Sequence, residues 1–415
     1  MSDIDKVKIG SYIKILPGFA FDSSYFTDEN QGMPLIRIRD LENEATEAWF
    51  TGNYDEKYVI RKDDILVGMD GDFLVAKWKG NNALLNQRVC KLETIDQRII
   101  NQEFLYYSLI DEVRKINQVT SATTVKHLST KNIQNLEIWL PKQVEEQAKI
   151  AEVLATIDRA IAQTEALIAK HQRIKTGLMQ DLLTRGIDEH GQLRDPSTHR
   201  FKSTPLGMIP EEWEVSNIGK ISHRVTSGSR WWARYYSDTG AKFIRIGNLT
   251  REHVNLRLQN IQHVQPPDSS EAKRTVLETG DLLISVTADL GIIGIVPSDL
   301  GEAYINQHIA LVKLDKEKIN PYFIGNLLSS FQAQKYFSLL NDSGAKAGLN
   351  LKTISAFPVV FPSDKKEQDR IAEIIQKTDD IIEKQKSERK KLLGVKAGLM
   401  QDLLSGRVSV KVLME

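Results

Sequence analysis

The sequence predicts an α+β chain in which two β-rich globular domains alternate with two long helices. Three observations carry this. The string GLMQDLL occurs twice, at Gly177–Leu183 and at Gly398–Leu404. The match continues upstream without a gap, so that Leu140–Leu183 lies over Phe361–Leu404 at a shift of 221 residues. Ahead of each copy, short β-branched and aromatic runs are broken by Gly and Asp, which reads as strands and turns.

The repeated segments read as helices. Apolar or small residues recur, at three- and four-residue steps for several turns, through Ile150, Leu154, Ile157, Ile161, Ile168, Ile174, Leu178 and Leu182, and through Ile371, Ile375, Thr378, Ile382, Leu392, Leu399 and Leu403. That alternation suits a coiled-coil seam. Pro141 and Pro362 stand just before the helices, where a missing N–H costs little. A helix of about 40 residues is roughly 60 Å long and cannot bury its own stripe. The simplest partner for each is the other copy. Ile150, Leu154, Ile157, Ile161, Leu178, Met179, Leu182, Ile371, Ile375, Ile382, Leu399, Met400 and Leu403 are the expected helix-pairing and subunit-docking residues.

The globular parts repeat more faintly. PLIRIRDL (Pro34–Leu41) resembles KFIRIGNL (Lys242–Leu249), and LLNQRVCKLE (Leu84–Glu93) resembles YINQHIALVKLD (Tyr304–Asp315). The expected organisation is a first globular domain at 1–140, a central long helix at 141–187, a polar linker at 188–210, a second globular domain at 211–361 and a distal long helix at 362–408.

Composition narrows the class. Lys+Arg and Asp+Glu are 55 each, so any polyanion partner must be met by local charge. The single cysteine, Cys90, excludes an intrachain disulfide and a cysteine zinc site. No signal-peptide core or long apolar run occurs, so a soluble, cytoplasmic protein is expected.

No catalytic motif stands up. In PDSSEAK (Pro267–Lys273) Asp268 and Glu271 are neighbours in one turn, whereas a metal nuclease gathers its carboxylates from separate elements. NPYF (Asn320–Phe323) opens a helix-like stretch and follows no Gly-rich adenosyl loop. No metal site and no cofactor of the chain's own are expected.

Charge and aromatics coincide in one place. Between Asn217 and Arg257 stand eight Lys/Arg and two acids, around the stretch SGSRWWARYYSDTG. Arg224, Arg230, Trp231, Trp232, Arg234, Tyr235, Tyr236 and Arg245 are candidate DNA-binding residues: arginine reads guanine edges, and aromatics pack on sugars or thymine methyls. A weaker first-half candidate, VTSATTVKHLSTK (Val119–Lys131), supplies Lys126, His127 and Lys131. Arg37, Arg39, Lys77 and Arg88 add to it, and Lys346 completes the second half. Each also reads as an ordinary surface charge or a core aromatic.

With its EEQAKIAEVL and KEQDRIAEII helix starts, twin GLMQDLL ends and domain–helix–domain–helix order, the whole chain resembles the specificity subunit of type I restriction–modification systems. The resemblance implies two target recognition domains, each reading one half of a split asymmetric DNA site. It implies that the helices pair as an antiparallel coiled coil with a pseudo-two-fold axis and set the gap, the domains facing one duplex about a turn, roughly 34 Å, apart. It implies partners: double-stranded DNA, two modification (adenine-methyltransferase) subunits, and restriction (helicase–nuclease) subunits. S-adenosylmethionine, ATP and Mg are then expected on those partners and none on this chain, a non-catalytic component of DNA methylation and phage defence. The alternative is a coiled-coil scaffold that binds only proteins.

Overall fold

The computed structural model describes residues 4–43, 46–119, 127–228, 230, 232–287, 289–342 and 349–414. It divides into two compact units. The first holds Met1–Glu165 and Ser387–Glu415, and the second Ala166–Lys386. Each unit therefore contains one globular domain, the first part of one long helix and the last part of the other.

The two domains are built alike. In the first unit, a four-stranded antiparallel sheet runs in the order Ile13–Pro17, Val89–Thr94, Ile65–Gly68, Val75–Lys77. In the second the order is Ser222–Ser227, Ile309–Leu314, Leu282–Ser285, Ile293–Ile295. Each domain has a further mixed sheet containing one parallel pairing, Met33–Ile36 with Ala83–Leu85 in the first and Ala241–Ile244 with Ala303–Ile305 in the second. Central strands such as Ile65–Gly68 and Leu282–Ser285 are buried at every residue, which explains their unbroken apolar runs. The expected polar linker holds a hairpin, Phe201–Thr204 with Gly207–Pro210. Its Leu206 and Ile209 enter the second unit's core, so this segment is part of the fold.

The long helices run Val144–Leu182 and Lys365–Leu404. Their first turns are tied to the domain ahead by a buried glutamine. Gln147, fully buried, accepts the Asn101 N–H at 2.8 Å and donates to the carbonyls of Ile99 and Pro141. Gln368 does the same with Asn320, Lys318 and Pro362. A side-chain amide offers a carbonyl and an NH₂ at one place, so one glutamine closes three backbone groups that burial would otherwise leave unpaired.

The GLMQDLL ends are docked crosswise. Leu182, Leu183 and Ile187, which close the first helix, pack in one core with Trp213, Phe323, Ile371, Ala372 and Ile375 of the second unit. Met400, Leu403, Leu404 and Val410, which close the second helix, pack with Phe104, Ile150, Ala151 and Leu154 of the first. Inside each unit the helix segments run antiparallel. In the first, Asp158 pairs with Lys396 at 2.7 Å and Glu165 with Arg389 at 2.6 Å. In the second, His171 meets Gln385 at 3.0 Å and Lys175 pairs with Asp379 at 2.5 Å. The two Lys–Asp pairs are the same pair at the 221-residue shift. The expected seam is interrupted at Ile174, which is exposed, as is its repeat mate Val395. The neighbouring Lys175 takes the inward position instead.

Lys175 and Asp379 are both buried, with side chains 10% and 3% exposed. Lys175→Met leaves a buried carboxylate without its cation and is expected to cost about 3–5 kcal/mol in a denaturant titration. Pairing it with Asp379→Leu is expected to recover much of that loss. Gln368→Ala, which strands three backbone groups, is expected to lower stability by about 2–3 kcal/mol in the same titration.

Candidate nucleic-acid interface

In each domain three chain segments are clamped together by backbone hydrogen bonds. The Met69 N–H donates to the Arg88 carbonyl at 2.8 Å, and the Leu128 N–H donates to the Met69 carbonyl at 2.7 Å. In the second domain Val286 donates to His308 at 2.9 Å, and Leu349 to Val286 at 3.1 Å. The turns Asn86-Gln87-Arg88 and Asn306-Gln307-His308 lie against Gly18 and Gly228. A Cβ there would fall 1.9 Å from the Asn86 oxygen and 2.1 Å from the Asn306 oxygen, so only glycine fits. Gly18 and Gly228 thus launch the same excursion in both domains, through short 3-10 turns at Ser23–Tyr25 and Trp232–Tyr235.

Different side chains stand on this shared frame. In the first domain, Asp70 is ion-paired with Arg88, its Oδ2 3.3 Å from Nε, and its Oδ1 lies 2.6 Å from His127 Nδ1. Arg88 holds φ of 71°, a left-handed backbone that a non-glycine residue adopts at a cost. In the second, His308 Nδ1 lies 2.7 Å from Thr287 Oγ1, and its Nε2 lies 2.8 Å from Gln307 Nε2. One frame holds a charged Arg–Asp–His group, and the other a hydrogen-bonded His–Thr–Gln group. Asp70, Thr287, Gln307 and His308 had no place in the sequence reading. The paired NQR and NQH strings were the signal that could have found two of them.

The remaining candidates separate by environment. Arg224, Arg230, Arg234 and Arg245 are exposed, with no ion pair among the described residues. Arg234 lies over the Tyr235 ring at 5.0 Å, and Tyr236 is exposed beside them. Lys131 is exposed on the helix Thr130–Gln134. Arg39 is exposed near Asp40.

Trp232 is a correction. It is 5% exposed and packs on Phe243 at 5.2 Å and Tyr304 at 5.0 Å, so its indole is core and not a surface for DNA. Lys77 is committed to an ion pair with Glu103 and lies over the Tyr106 ring. The guanidinium of Arg37 is held by Asp40 at 3.1 Å. Both cations are spent inside the first domain. Lys126, Trp231 and Lys346 lie outside the described residues.

Among the described residues one acid–histidine cluster, Glu252, His253 and Glu383, has the spacing to hold a metal ion. Lys386 lies 2.6 Å from Glu252 and 2.8 Å from Glu383, and Arg257 lies 3.2 Å from Glu252. These partners hold the Glu252 carboxyl below its usual range, Lys386 first. The ammonium already occupies the place of a cation. No described helix is long and apolar enough to cross a membrane.

The sequence model of the family described as type I restriction modification DNA specificity domain matches residues 1–171 and 210–392. The chain is 30% identical to the EcoBI type I restriction enzyme specificity subunit of Escherichia coli, over 92% of this chain and 81% of that one. It is 25% identical to the MjaVIII specificity subunit of Methanocaldococcus jannaschii, over 99% and 94%. In fold it is similar to the crystal structure of a type I S subunit from M. genitalium, with a TM-score of 0.64 at 17% identity, covering 97% and 96% of the two chains. A chain from a type I R-M system studied for complex assembly gives a TM-score of 0.53 at 16% identity, with 98% of each covered.

The packing of Trp232 predicts that Trp232→Ala costs about 3–5 kcal/mol in a denaturant titration of the DNA-free protein. The exposed Arg234→Ala is expected to change that titration by less than about 0.5 kcal/mol.

Proposed function

The chain belongs to the type I restriction–modification DNA specificity family, and from that premise we propose how its two halves divide the work. Each globular domain reads one half of a bipartite duplex site, and the helix pair sets the unread gap. The observation that carries this reading is the repeated clamp. Met69, Arg88 and Leu128 make the same backbone bonds as Val286, His308 and Leu349, while the side chains on the two clamps differ. A constant frame with changed hydrogen-bonding groups is what two related readers of unequal half-sites require.

The chemistry fits base edges and phosphates. Arg88 suits guanine O6 and N7, and Gln307 suits adenine N6 and N7. Arg230 and Arg234 supply local positive charge that a net charge of zero does not. DNA competes with Asp70 for Arg88 and His127, so that carboxylate holds both side chains in place until a base edge or phosphate replaces it.

The assembly role follows from the repeat. Ile174 and Val395 are exposed apolar residues at equivalent positions on the two helices. Two equivalent exposed positions suit two copies of one partner, the modification subunits. The chain itself is non-catalytic in this reading. Adenosylmethionine, ATP and Mg reside on the modification and restriction subunits, and the complex works in the cytoplasm.

Methylome sequencing of cells carrying the complex tests this. Arg88→Ala is expected to relax the sequence at one position of one half-site, and Arg230→Ala at the other half-site, each at about 1–3 kcal/mol of discrimination. A uniform fall in methylation with an unchanged motif would assign those residues to phosphate instead. Four residues inserted beside Leu167 are expected to lengthen the gap and leave both half-sites as they were. An altered half-site with the old gap would end the ruler reading.

A further inference from the structure

The first domain exposes an aromatic side chain on tightly held backbone. Phe19 follows Gly18, whose Cβ, were there one, would fall 1.9 Å from the Asn86 oxygen. The Phe19 N–H donates to the Leu85 carbonyl at 3.0 Å, and the Phe19 carbonyl accepts from the N–H groups of Gln87 at 2.8 Å and Phe21 at 3.1 Å. Its backbone is thus bonded to both ends of the turn that leads into Arg88. Yet Phe19 is 47% exposed and stands outside the apolar core that Phe21, Leu35, Phe50 and Val59 build beside it.

The exposed ring is braced by other rings. Phe21 meets it edge-on at 5.1 Å, and Tyr58 lies tilted against it at 5.1 Å. Lys57 stands over the Tyr58 ring at 4.9 Å. Its ammonium pairs with Asp55 at 2.8 Å, but both side chains are more than half exposed, so that pair holds the lysine weakly. An apolar face fixed in advance, between Arg88 and a second exposed cation, loses little freedom when it meets a polyanion.

Distance limits what this ring can touch. Residues joined by a backbone hydrogen bond have Cα atoms about 5–6 Å apart, and the next Cα is about 3.8 Å further on. The Phe19 Cα therefore stands within about 10 Å of the Arg88 Cα, or roughly three steps of a duplex at about 3.4 Å each. Arginine reads guanine through O6 and N7 in the major groove, where the one apolar group on a base edge is the thymine C5 methyl. A wedge between base steps would have to insert its ring, whereas about half of Phe19 is kept against its neighbours.

We propose that Phe19 is a specificity-determining residue of the first domain, its exposed ring packing on the C5 methyl of a thymine within about three base pairs of the base that Arg88 meets. The inference rests on the base reading proposed above for Arg88. In the second domain the residue after Gly228 is Ser229, a hydroxyl in place of a ring, so the two half-sites are not expected to share this thymine contact.

The test uses the assembled complex. Methylome sequencing of wild type and Arg88→Ala gives the motif and the half-site that Arg88 reads. Duplexes carrying that motif are then titrated with each thymine of this half-site replaced in turn by deoxyuridine, which removes only the methyl group. One replacement, within about three base pairs of the position that Arg88→Ala relaxes, is expected to weaken wild-type binding about 3- to 10-fold. The same replacement is expected to change binding by Phe19→Ala less than about 2-fold, because the partner of the methyl is already gone. Phe19→Ser, the residue of the second domain, serves if Phe19→Ala does not fold. No sensitive thymine in that half-site, or equal sensitivity in wild type and variant, would overturn the inference while leaving the Arg88 reading in place. A motif unchanged by Arg88→Ala would remove that reading, and this inference with it.

Discussion

The rest of the structure depends on a reciprocal burial: the last turn of each long helix completes the core beneath the first turn of the other. Leu182, Leu183 and Ile187 are core residues of the second unit, although the helix that delivers them starts in the first. Met400, Leu403, Leu404 and Val410 play that part in the first unit. Each buried leucine contributes about 1.5–3 kcal/mol, so neither domain keeps a full core without the far end of the other half's helix. This explains why the leucines at the two helix ends match while the domains differ. The ends meet the same surroundings, and the reading surfaces do not. The base of the opposite helix accounts for the leucines of GLMQDLL, whereas Gly177, Gln180, Gly398 and Gln401 of the same strings are exposed.

Much of this was legible in the sequence, because a repeat can be read without knowing any contact. The shift of 221 residues marked Gln147/Gln368, Asp158/Asp379 and Lys175/Lys396 before their roles were known. What it did not show was who meets whom. That Lys175 meets Asp379 emerges only from the antiparallel pairing. Ile174 reads as part of the seam because it is apolar at a helical step, yet it is exposed. Trp232 reads as a surface aromatic because arginines flank it, and its burial depends on Phe243 and Tyr304, the latter far away in sequence. Lys77 and Arg88 stood together as candidate cations. One is consumed by Glu103, while the other is poised on Asp70 beside His127. Charge pattern locates cations, and only tertiary structure shows which remain available.

Function divides along the same line. Backbone bonds, a tight glycine and a buried amide build a frame that both halves share, and on that frame side chains can change without disturbing the fold. In the proposed reading, Arg88 with Asp70 and His308 with Thr287 are two settings of one device.

Hydrogen exchange on two full-length variants tests the reciprocal burial most directly. Leu182→Ala should speed exchange in the second unit's strands, Leu282–Ser285 and Ile309–Leu314, and leave Ile65–Gly68 and Val89–Thr94 protected. Leu403→Ala should do the reverse. If each substitution instead loosens the domain that precedes its own helix in the chain, the crosswise docking is wrong.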